Sequence, residues 1–308
     1  MVKNIGSEYL AGDEFRTRHI GPDNSDRTAM LKVMGLDTID DLIFKIVPES
    51  ILQTAPLELE DAQSESTILE HMQWLSSKNK TMVSLIGQGY YSCHVPSVIR
   101  RNVLENPGWY TSYTPYQPEI SQGRLEALLN FQTLVADLTG LPIANASLLD
   151  EASAAAEAMT LIRRQSKSKS RLFFVSDNCF QQTIDVMLTR AGPLDIEIVV
   201  GGEDSDFSSL DVFGALLQYA GADGQIIDWG QSIGTIHDRG GLVAMAADPL
   251  MLVLLKSPGE LGADVAIGSM QRFGVPMFNG GPHAAFLSTR DEFKRAMPGR
   301  IVGVSHDS

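Results

Sequence analysis

Residues 265–287 read VAIGSMQRFGVPMFNGGPHAAFL, in which two short apolar runs flank a glycine-rich connector. The runs, at 265–268 and 284–287, have the length and the side chains of buried strands. They belong to a series of such runs that alternate with helical candidates, notably 181–189, the others being 172–175, 196–200 and 242–246. This alternation predicts an α/β domain built on a mostly parallel sheet with helices on both faces.

The sequence before this alternation is typical of helices. Leucine and valine recur at helical spacing over 122–139, which predicts a long helix that ends at Gly140. A further helix is expected over 153–165. We therefore expect a helical N-terminal region, residues 1–105, followed by an α/β large domain, residues 106–308.

The composition limits the partners of the chain. It has 308 residues, of which 44% are hydrophobic and 20% charged, as in an ordinary globular protein. The formal net charge of −14 argues against binding to nucleic acid or to an anionic membrane surface. No apolar run reaches the ~20 residues that a membrane span needs. We expect neither a nucleic-acid partner nor a membrane.

Two features predict a cytoplasmic location. Residues 1–13 carry charges of both signs and no apolar segment, unlike a secretory signal or an arginine-rich transit peptide. Cys93 and Cys179 are too few for a disulfide framework or a zinc site, which is the pattern expected in a reducing compartment.

Aromatic residues are concentrated just before the long helix. Tyr110, Tyr113 and Tyr116 recur every three residues, among prolines and hydrogen-bonding side chains, over 106–126. Such a segment can present flat faces to a ligand, because a tyrosine combines an apolar ring with a polar hydroxyl. An ordered loop whose tyrosines cover the core explains the pattern equally well.

Several motifs resemble those of a known enzyme family and follow the same order along the chain. The aromatic segment is one of them, and the others lie at 15–22, 86–91, 145–151, 271–276, 280–286 and 297–304. From about residue 15 onward the chain resembles the N-terminal half of the pyridoxal-phosphate-dependent glycine decarboxylases of the glycine cleavage system. The resemblance implies the large domain of the fold-type I, aminotransferase-like pyridoxal-phosphate enzymes. It also implies that the C-terminal segment of the small domain is absent from these residues, as is the second half of the long enzymes.

The resemblance also indicates which part of the enzyme holds the cofactor. Pyridoxal-phosphate enzymes bind their cofactor covalently through a lysine amine. Aligning the motif on Phe273 and Pro276 places Gln271 where the catalytic half of the family has that lysine. Glutamine has no amine that can form this bond. We therefore expect the cofactor to be bound by a lysine-bearing partner half, and not covalently by this chain.

Two residues correspond to cofactor contacts of the fold. Ser153, at the start of the predicted helix 153–165, is placed either to cap that helix or to bind the cofactor phosphate. Asp248, after the strand 242–246, corresponds to the carboxylate that pairs with the pyridinium ring. A turn cap before Pro249 is the simpler role for it. Both contacts would be vestigial in a half that lacks the lysine.

The function implied by the resemblance is that of one part of a glycine decarboxylase. In this family glycine loses carbon dioxide, and its aminomethyl group passes to the lipoyl arm of a carrier protein. The chain would form an active-site wall against the catalytic half. The candidate wall residues are Tyr113, Thr114, Tyr116, Gln117, Glu119 and Gln122, with Tyr90 and Tyr91 as second choices.

Two alternatives to this wall stay open. The chain could be a non-catalytic half that only binds its partner as a scaffold or regulator, or a truncated product without a function of its own. An unrelated dinucleotide-binding domain is disfavoured, because no G-x-G-x-x-G motif follows a strand. No spacing of metal ligands is present in the sequence.

Overall fold

The computed structural model describes residues 19, 21–53, 55, 57–278 and 280–305. The motif at 15–22 therefore lies largely outside the described residues, as does Asn279. The chain divides into two compact units, Met1–Val83 and Ser84–Ser308. This division precedes the domain boundary expected between residues 105 and 106, which stays a prediction.

The first unit is helical over much of its described part. Its helices are α1 (Asn24–Val33), α2 (Ile39–Ile46) and α3 (Glu65–Ser77), with a 3-10 turn at Glu49–Ile51. A reciprocal pair of side-chain bonds begins α2, where the hydroxyl of Thr38 accepts from the amide of Asp41 and the Asp41 carboxylate accepts from the amide of Thr38. Such a capping box satisfies amides that have no partner inside the helix.

The second unit is built on a seven-stranded sheet with the order β1-β7-β6-β5-β4-β2-β3. The strands are β1 (Ile143–Ala144), β2 (Leu172–Ser176), β3 (Glu197–Gly201), β4 (Gly214–Tyr219), β5 (Leu242–Ala247), β6 (Val265–Ser269) and β7 (Ala285–Thr289). β7 pairs antiparallel with both β1 and β6, and the other neighbouring strands are parallel.

Four helices of the second unit accompany the sheet. They are α4 (Pro118–Thr139), α5 (Glu151–Gln165), α6 (Gln181–Ala191) and α7 (Gly230–Asp238). Before α4 the chain forms a short helical stretch, Ser97–Ile99, that continues as a π-helical turn over Arg100–Leu104. 3-10 turns lie at Gly192–Leu194, Met251–Val253, Met270–Phe273 and Asp291–Phe293.

Successive side chains of a central strand enter different cores. In β5, Ala244 and Ala246 lie in the core that includes α5 and α6, whereas Val243 and Met245 lie in the core that includes α7. A strand that is buried on both faces needs an apolar residue at almost every position. This requirement explains why the strands appear in the sequence as continuous apolar runs and not as alternating ones.

The predicted mostly parallel sheet is confirmed. The five predicted strands correspond to β2, β3, β5, β6 and β7 to within two residues at each end. The central strand β4 and the two-residue β1 are absent from the predicted set. Gly214 and Gln218 interrupt the apolar run of β4, and β1 is too short to give a pattern.

Helix α4 begins at Pro118, four residues before the predicted start. Its end is as predicted, because Gly140 adopts a left-handed conformation with φ of 66°. Among the residues that the structure describes, no helix combines the length and the hydrophobicity needed to cross a bilayer.

Candidate functional site

A cleft of about 320 Å³ lies at the carboxyl ends of β4, β5 and β6. Ligands of open α/β sheets bind at this edge, because the loops that follow the strands surround it. The cleft is lined by Gly89, Tyr91, Glu151, Phe180, Gln218, Ala220, Gly221, Gly224, Asp248, Met251, Ser269 and Arg272. A small recess beside it shares Gly89, Glu151, Phe180 and Ser269 and adds, among others, Tyr90, Gln271 and His283.

Helix α5 points its amino terminus toward the cleft, and Asp150 caps it. The Asp150 carboxylate accepts from the amide of Ser153 at 3.2 Å, and the Asp150 carbonyl accepts from the amide of Ala154 at 2.9 Å. The predicted capping role of Ser153 is therefore wrong, since this residue lies in the first turn. An aspartate that precedes the helix reaches the third amide of that turn, which a residue inside the turn cannot do.

Glu151 is the first residue of α5 and borders both the cleft and the recess. Its Oε1 is buried and has no hydrogen-bond partner among the described residues. Burial, the Asp248 carboxylate and the Asp150 carboxylate raise the pKa of Glu151 from 4.5 to about 8. The side chain is therefore mostly protonated and neutral at pH 7.

Asp248 lies on the turn after β5 and is already engaged. One carboxylate oxygen accepts from the amide of Leu250 at 2.9 Å, so the residue caps a turn. The other oxygen lies 2.9 Å from Nε of Arg272, whose guanidinium also stacks over the ring of Tyr91 at 5.1 Å. Arg272 is not among the predicted site residues, although its place next to Gln271 in the 271–276 motif is a signal that could have indicated it.

Gln271 lies on the 3-10 turn directly after β6 and is only 4% exposed. Its carbonyl accepts from the amides of Gly274 and Val275, which fixes the turn. The side-chain Nε2 has no hydrogen-bond partner among the described residues. Lysine does not occur among the described residues that line the cleft and the recess. The correspondence of Gln271 to the family's lysine stays a prediction.

The residues around this cleft do not fit pyridoxal phosphate. The described residues of the lining include no lysine amine to hold it, and the carboxyl groups of Asp150 and Glu151 stand at the start of α5, where a phosphate would have to bind. Asp248 is paired with Arg272 and is not free for a pyridinium ring. The cofactor contacts predicted for Ser153 and Asp248 stay predictions, and this geometry disfavours them.

A second concave surface, called here the aromatic concavity, is lined by Ser112, Tyr113, Thr114, Tyr116, Gln117 and Arg300 and has a volume of about 560 Å³. The guanidinium of Arg300 lies 4.3 Å from the ring centre of Tyr116, and the hydroxyls of Tyr116 and Ser147 are 3.3 Å apart. Tyr113 is 59% exposed, so it does not cover the core as the alternative reading of the segment requires.

Arg124 fixes one side of the aromatic concavity. It donates to the carbonyl of Tyr113 at 2.9 Å and to the hydroxyl of Ser121, where α4 bends. Four of the predicted wall residues thus line one surface. Glu119 and Gln122 are exposed on α4 and do not line it, and Tyr90 and Tyr91 lie at the recess and the cleft.

No group of three or more histidine, cysteine, aspartate or glutamate residues in the described part of the chain is arranged to hold a metal ion. The two cysteines are free thiols; Cys179 is buried, and Cys93 donates to the carbonyl of Val275 at 3.2 Å. Burial next to Glu151 and Asp177 raises the pKa of the Cys179 thiol. Neither cysteine is part of a nucleophilic arrangement within the described residues.

Comparisons with known proteins agree with this fold. Residues 17–308 match the family model described as the glycine cleavage system P-protein. A glycine dehydrogenase (decarboxylating) of Gluconobacter oxydans (strain 621H) is 58% identical over 296 residues, which make up 96% of this chain and 31% of that relative. The chain thus spans about a third of the length of this curated relative.

Two solved structures show the likeness of the fold. A crystal structure of glycine decarboxylase (P-protein) of the glycine cleavage system, in inhibitor-bound form, has a TM-score of 0.83 at 33% identity and covers 93% of this chain and 66% of its own. A sphingosine-1-phosphate lyase of Burkholderia pseudomallei K96243 has a TM-score of 0.57 at 10% identity, over 81% of this chain and 64% of its own. The predicted aminotransferase-like large domain is confirmed.

Proposed function

Because this chain belongs to the glycine cleavage system P-protein family, with a match over residues 17–308, we propose that it builds one wall of the active site of a glycine decarboxylase. The reaction removes carbon dioxide from glycine and passes the aminomethyl group to a lipoyl carrier protein. A catalytic half supplies both pyridoxal phosphate and the lysine that holds it. This chain encloses and orients the substrate and makes no covalent bond to it.

The residue that supports this division of labour most strongly is Gln271. It is buried in the turn after β6, and we infer that it occupies the position of the family's lysine. The cleft beside it carries two carboxyl groups and an arginine that is already paired. A chain with this arrangement needs an amine from another half before it can take part in the reaction.

The aromatic concavity is the surface that we assign to the wall. It combines one cation, Arg300, with the hydroxyls of Tyr113, Thr114 and Tyr116 and the amide of Gln117. An arginine fork is suited to a carboxylate or a phosphate. The tyrosine rings are suited to exclude water from a small substrate, since they pack through their apolar faces.

Exposed apolar side chains in the second unit support a partner that covers part of its surface. Tyr110 is 61% exposed and Leu149 is 73% exposed, and Phe278 in the glycine-rich connector is 64% exposed. Large apolar side chains that remain exposed are typical of surfaces that bind another protein.

The free thiols of Cys93 and Cys179 support the cytoplasmic location that the cysteine count predicts.

The experiment that tests this function is reconstitution with a lysine-bearing half. The purified chain, the catalytic half and a lipoyl carrier protein are mixed, and the release of labelled carbon dioxide from glycine is measured. We expect release only when both halves are present. Assembly without any change in the rate would support a scaffold, and release by the lone chain would contradict the proposal.

A substitution in the aromatic concavity tests the wall itself. Tyr116→Phe removes the hydroxyl near Ser147 and should lower the turnover of the reconstituted enzyme about 3- to 10-fold, because one hydrogen bond contributes about 0.5–1.5 kcal/mol. Tyr110→Phe is the matched control: this tyrosine belongs to the same segment but does not line the concavity. Equal turnover of the two variants would count against the wall.

The location of the cofactor is read by absorbance. Pyridoxal phosphate added to the lone chain should give the spectrum of the free cofactor, and the band of the lysine-bound form should develop only after the catalytic half is added. A lysine-bound band in the lone chain would contradict the assignment of Gln271.

A further inference from the structure

The proposed function leaves the cleft at the carboxyl ends of β4, β5 and β6 without a role. It has no lining residue in common with the aromatic concavity. Its volume of about 320 Å³ is sufficient for a small organic molecule, and much larger than a water or a metal ion requires. Three large side chains, Tyr91, Phe180 and Met251, give it apolar walls.

Buried polar atoms without partners are concentrated around this cleft. Six buried side-chain atoms lack a hydrogen-bond partner among the described residues, and five of them belong to residues that line the cleft or its recess. One of the five, Nε of Arg272, is in the ion pair with Asp248, which leaves four with neither kind of partner in the described structure: Glu151 Oε1, Thr183 Oγ1, Gln218 Oε1 and Gln271 Nε2. Folded proteins seldom leave such atoms unpaired, so their clustering points to a molecule that pairs with them.

Gln218 shows which kind of hydrogen-bonding group a ligand of the cleft must supply. The residue is 2% exposed, and its side-chain nitrogen donates to the carbonyl of Ala220 at 3.3 Å. That bond leaves the side-chain oxygen as a fixed acceptor in the lining of the cleft. The Glu151 carboxyl is a second acceptor there. A ligand that pairs with these two oxygens must therefore bring hydrogen-bond donors.

The charges of the lining select a cation. Asp248 is balanced by Arg272, at a distance of 2.9 Å, whereas no cation is paired with Glu151 among the described residues. An anion would meet Asp150, Glu151 and Asp248 together. A ligand with one positive charge would let Glu151 ionise and would balance it.

From these observations we propose that the cleft binds a small organic ammonium ion. Its nitrogen donates to Glu151 and to the oxygen of Gln218, and its apolar body packs against Phe180, Tyr91 and Met251. The site goes beyond the proposed function, because it needs neither the catalytic half nor pyridoxal phosphate. A phosphate-bearing ligand is excluded by the same carboxyl groups that accept the amine.

Binding of the amine is linked to the protonation of Glu151. The groups that face this carboxyl are Asp150 on its own helix, Cys179 after β2, Asp248 after β5, Arg272 after β6, and His283 in the recess. Since Glu151 is mostly protonated at neutral pH and an ammonium ion favours the carboxylate, binding releases a proton. The affinity should therefore rise more than tenfold between pH 6 and pH 8.5.

Calorimetric titration of the 308-residue chain tests the site with benzylammonium as the probe. Benzyl alcohol is its neutral counterpart, benzoate its anionic one, and pyridoxal phosphate serves as the phosphate-bearing comparison ligand. We expect benzylammonium to bind most tightly at pH 8.5. In buffers that differ in ionisation enthalpy, the observed heat should differ in the sense of proton release.

Two variants locate the binding. Glu151→Gln keeps the shape of the side chain and should weaken benzylammonium about 10- to 100-fold at pH 8.5, because it removes a charge-assisted hydrogen bond, and it should abolish the pH dependence. Glu157→Gln is the matched control, two turns along the same helix and paired with Arg190 outside the cleft. Equal affinity of wild type and Glu151→Gln, tighter binding of benzyl alcohol or pyridoxal phosphate, or no binding at millimolar amine would each overturn the proposal.

Discussion

Glu151 combines two properties at the scale of single residues. It is the first residue of α5, where a carboxylate usually stabilises the helix dipole, yet its Oε1 is buried without a partner in the described structure. Burial and two neighbouring carboxylates raise its pKa to about 8. The cost of an ionised group in this position outweighs the favourable helix terminus, and the side chain keeps its proton.

The raised pKa predicts how the stability of the folded chain depends on pH. Between its ordinary pKa of 4.5 and about 8, Glu151 is protonated in the folded chain and ionised in the unfolded chain. The unfolded state then binds fewer protons, so the free energy of unfolding falls as the pH rises through this window. At about 1.4 kcal/mol per pKa unit, and allowing for partial exposure of the residue, the loss is on the order of 3 kcal/mol.

Urea denaturation at pH 5 and pH 8 measures this loss as a difference between wild type and Glu151→Gln, since other titrating groups contribute equally to both. The wild-type chain should lose more stability than the variant on going to pH 8. Parallel curves for the two proteins would show that Glu151 titrates in the folded chain as it does in the unfolded one.

The order of strands and turns in the sequence predicts where single residues of the site lie, but it does not predict which side chains contact them. Gln271 and Asp248 follow strands, and the structure places both directly after β6 and β5. The partners of these residues could not be predicted, because Arg272 meets Asp248 and Tyr91 only when two strand ends and a loop come together. The burial of Glu151 depends on the same long-range contacts.

At the scale of elements, β4 shows where the sequence pattern fails. It forms the centre of the sheet, between β5 and β2, although it begins with a glycine and contains a glutamine. Both residues have physical reasons. Gly214 is packed against Ile162 of α5, which leaves no room for a side chain. The side-chain oxygen of Gln218 is the acceptor in the cleft, and its backbone carbonyl accepts a hydrogen bond from Nε1 of Trp229 at 2.8 Å.

The contact between Gly214 and α5 gives a prediction about packing. A Cβ at position 214 would overlap the Cγ2 of Ile162 and lie 2.8 Å from the carbonyl of Leu242 in β5. We expect Gly214→Ala to destabilise the second unit by about 1–3 kcal/mol, the cost of overfilling a packed core. Denaturation followed by the fluorescence of the buried Trp229 measures the effect.

A second substitution separates overlap from strand preference. Gly214→Ala combined with Ile162→Leu removes the Cγ2 branch that the new methyl group would overlap, keeps the side-chain volume, and should recover part of the loss. If the single variant is as stable as wild type, β4 and α5 are not packed as closely as the structure shows. No recovery in the double variant would place the clash at the carbonyl of Leu242.

Across the second unit, the two ends of the parallel strands differ in their polar groups. The cleft lies at the carboxyl ends of the parallel strands and holds unpaired polar atoms. At the opposite edge, Asp264 just before β6 is fully buried and lies 2.8 Å from both His237 of α7 and Arg290 after β7. It also accepts from the amide of Val243 at 2.7 Å.

Asp264 therefore joins α7, β5, β6 and the chain after β7 at the edge away from the cleft. Asp264→Ala should destabilise the second unit by about 3–5 kcal/mol, because it leaves the Val243 amide, the His237 ring and the Arg290 guanidinium beside a buried site with no acceptor. Asp238→Ala, an exposed neighbour on α7, should change the free energy of unfolding by less than about 0.5 kcal/mol.

Because Asp264 lies at the strand ends away from the cleft, its substitution should not change binding in the cleft. The folded fraction of the Asp264→Ala chain should bind benzylammonium with the affinity of wild type, because none of the residues bonded to Asp264 lines the cleft. Glu151→Gln should show the reverse pattern, weaker binding in a chain that stays folded. Loss of binding in Asp264→Ala at a temperature where the chain is folded would mean that the two edges are coupled through the strands, and that the sheet does not isolate them.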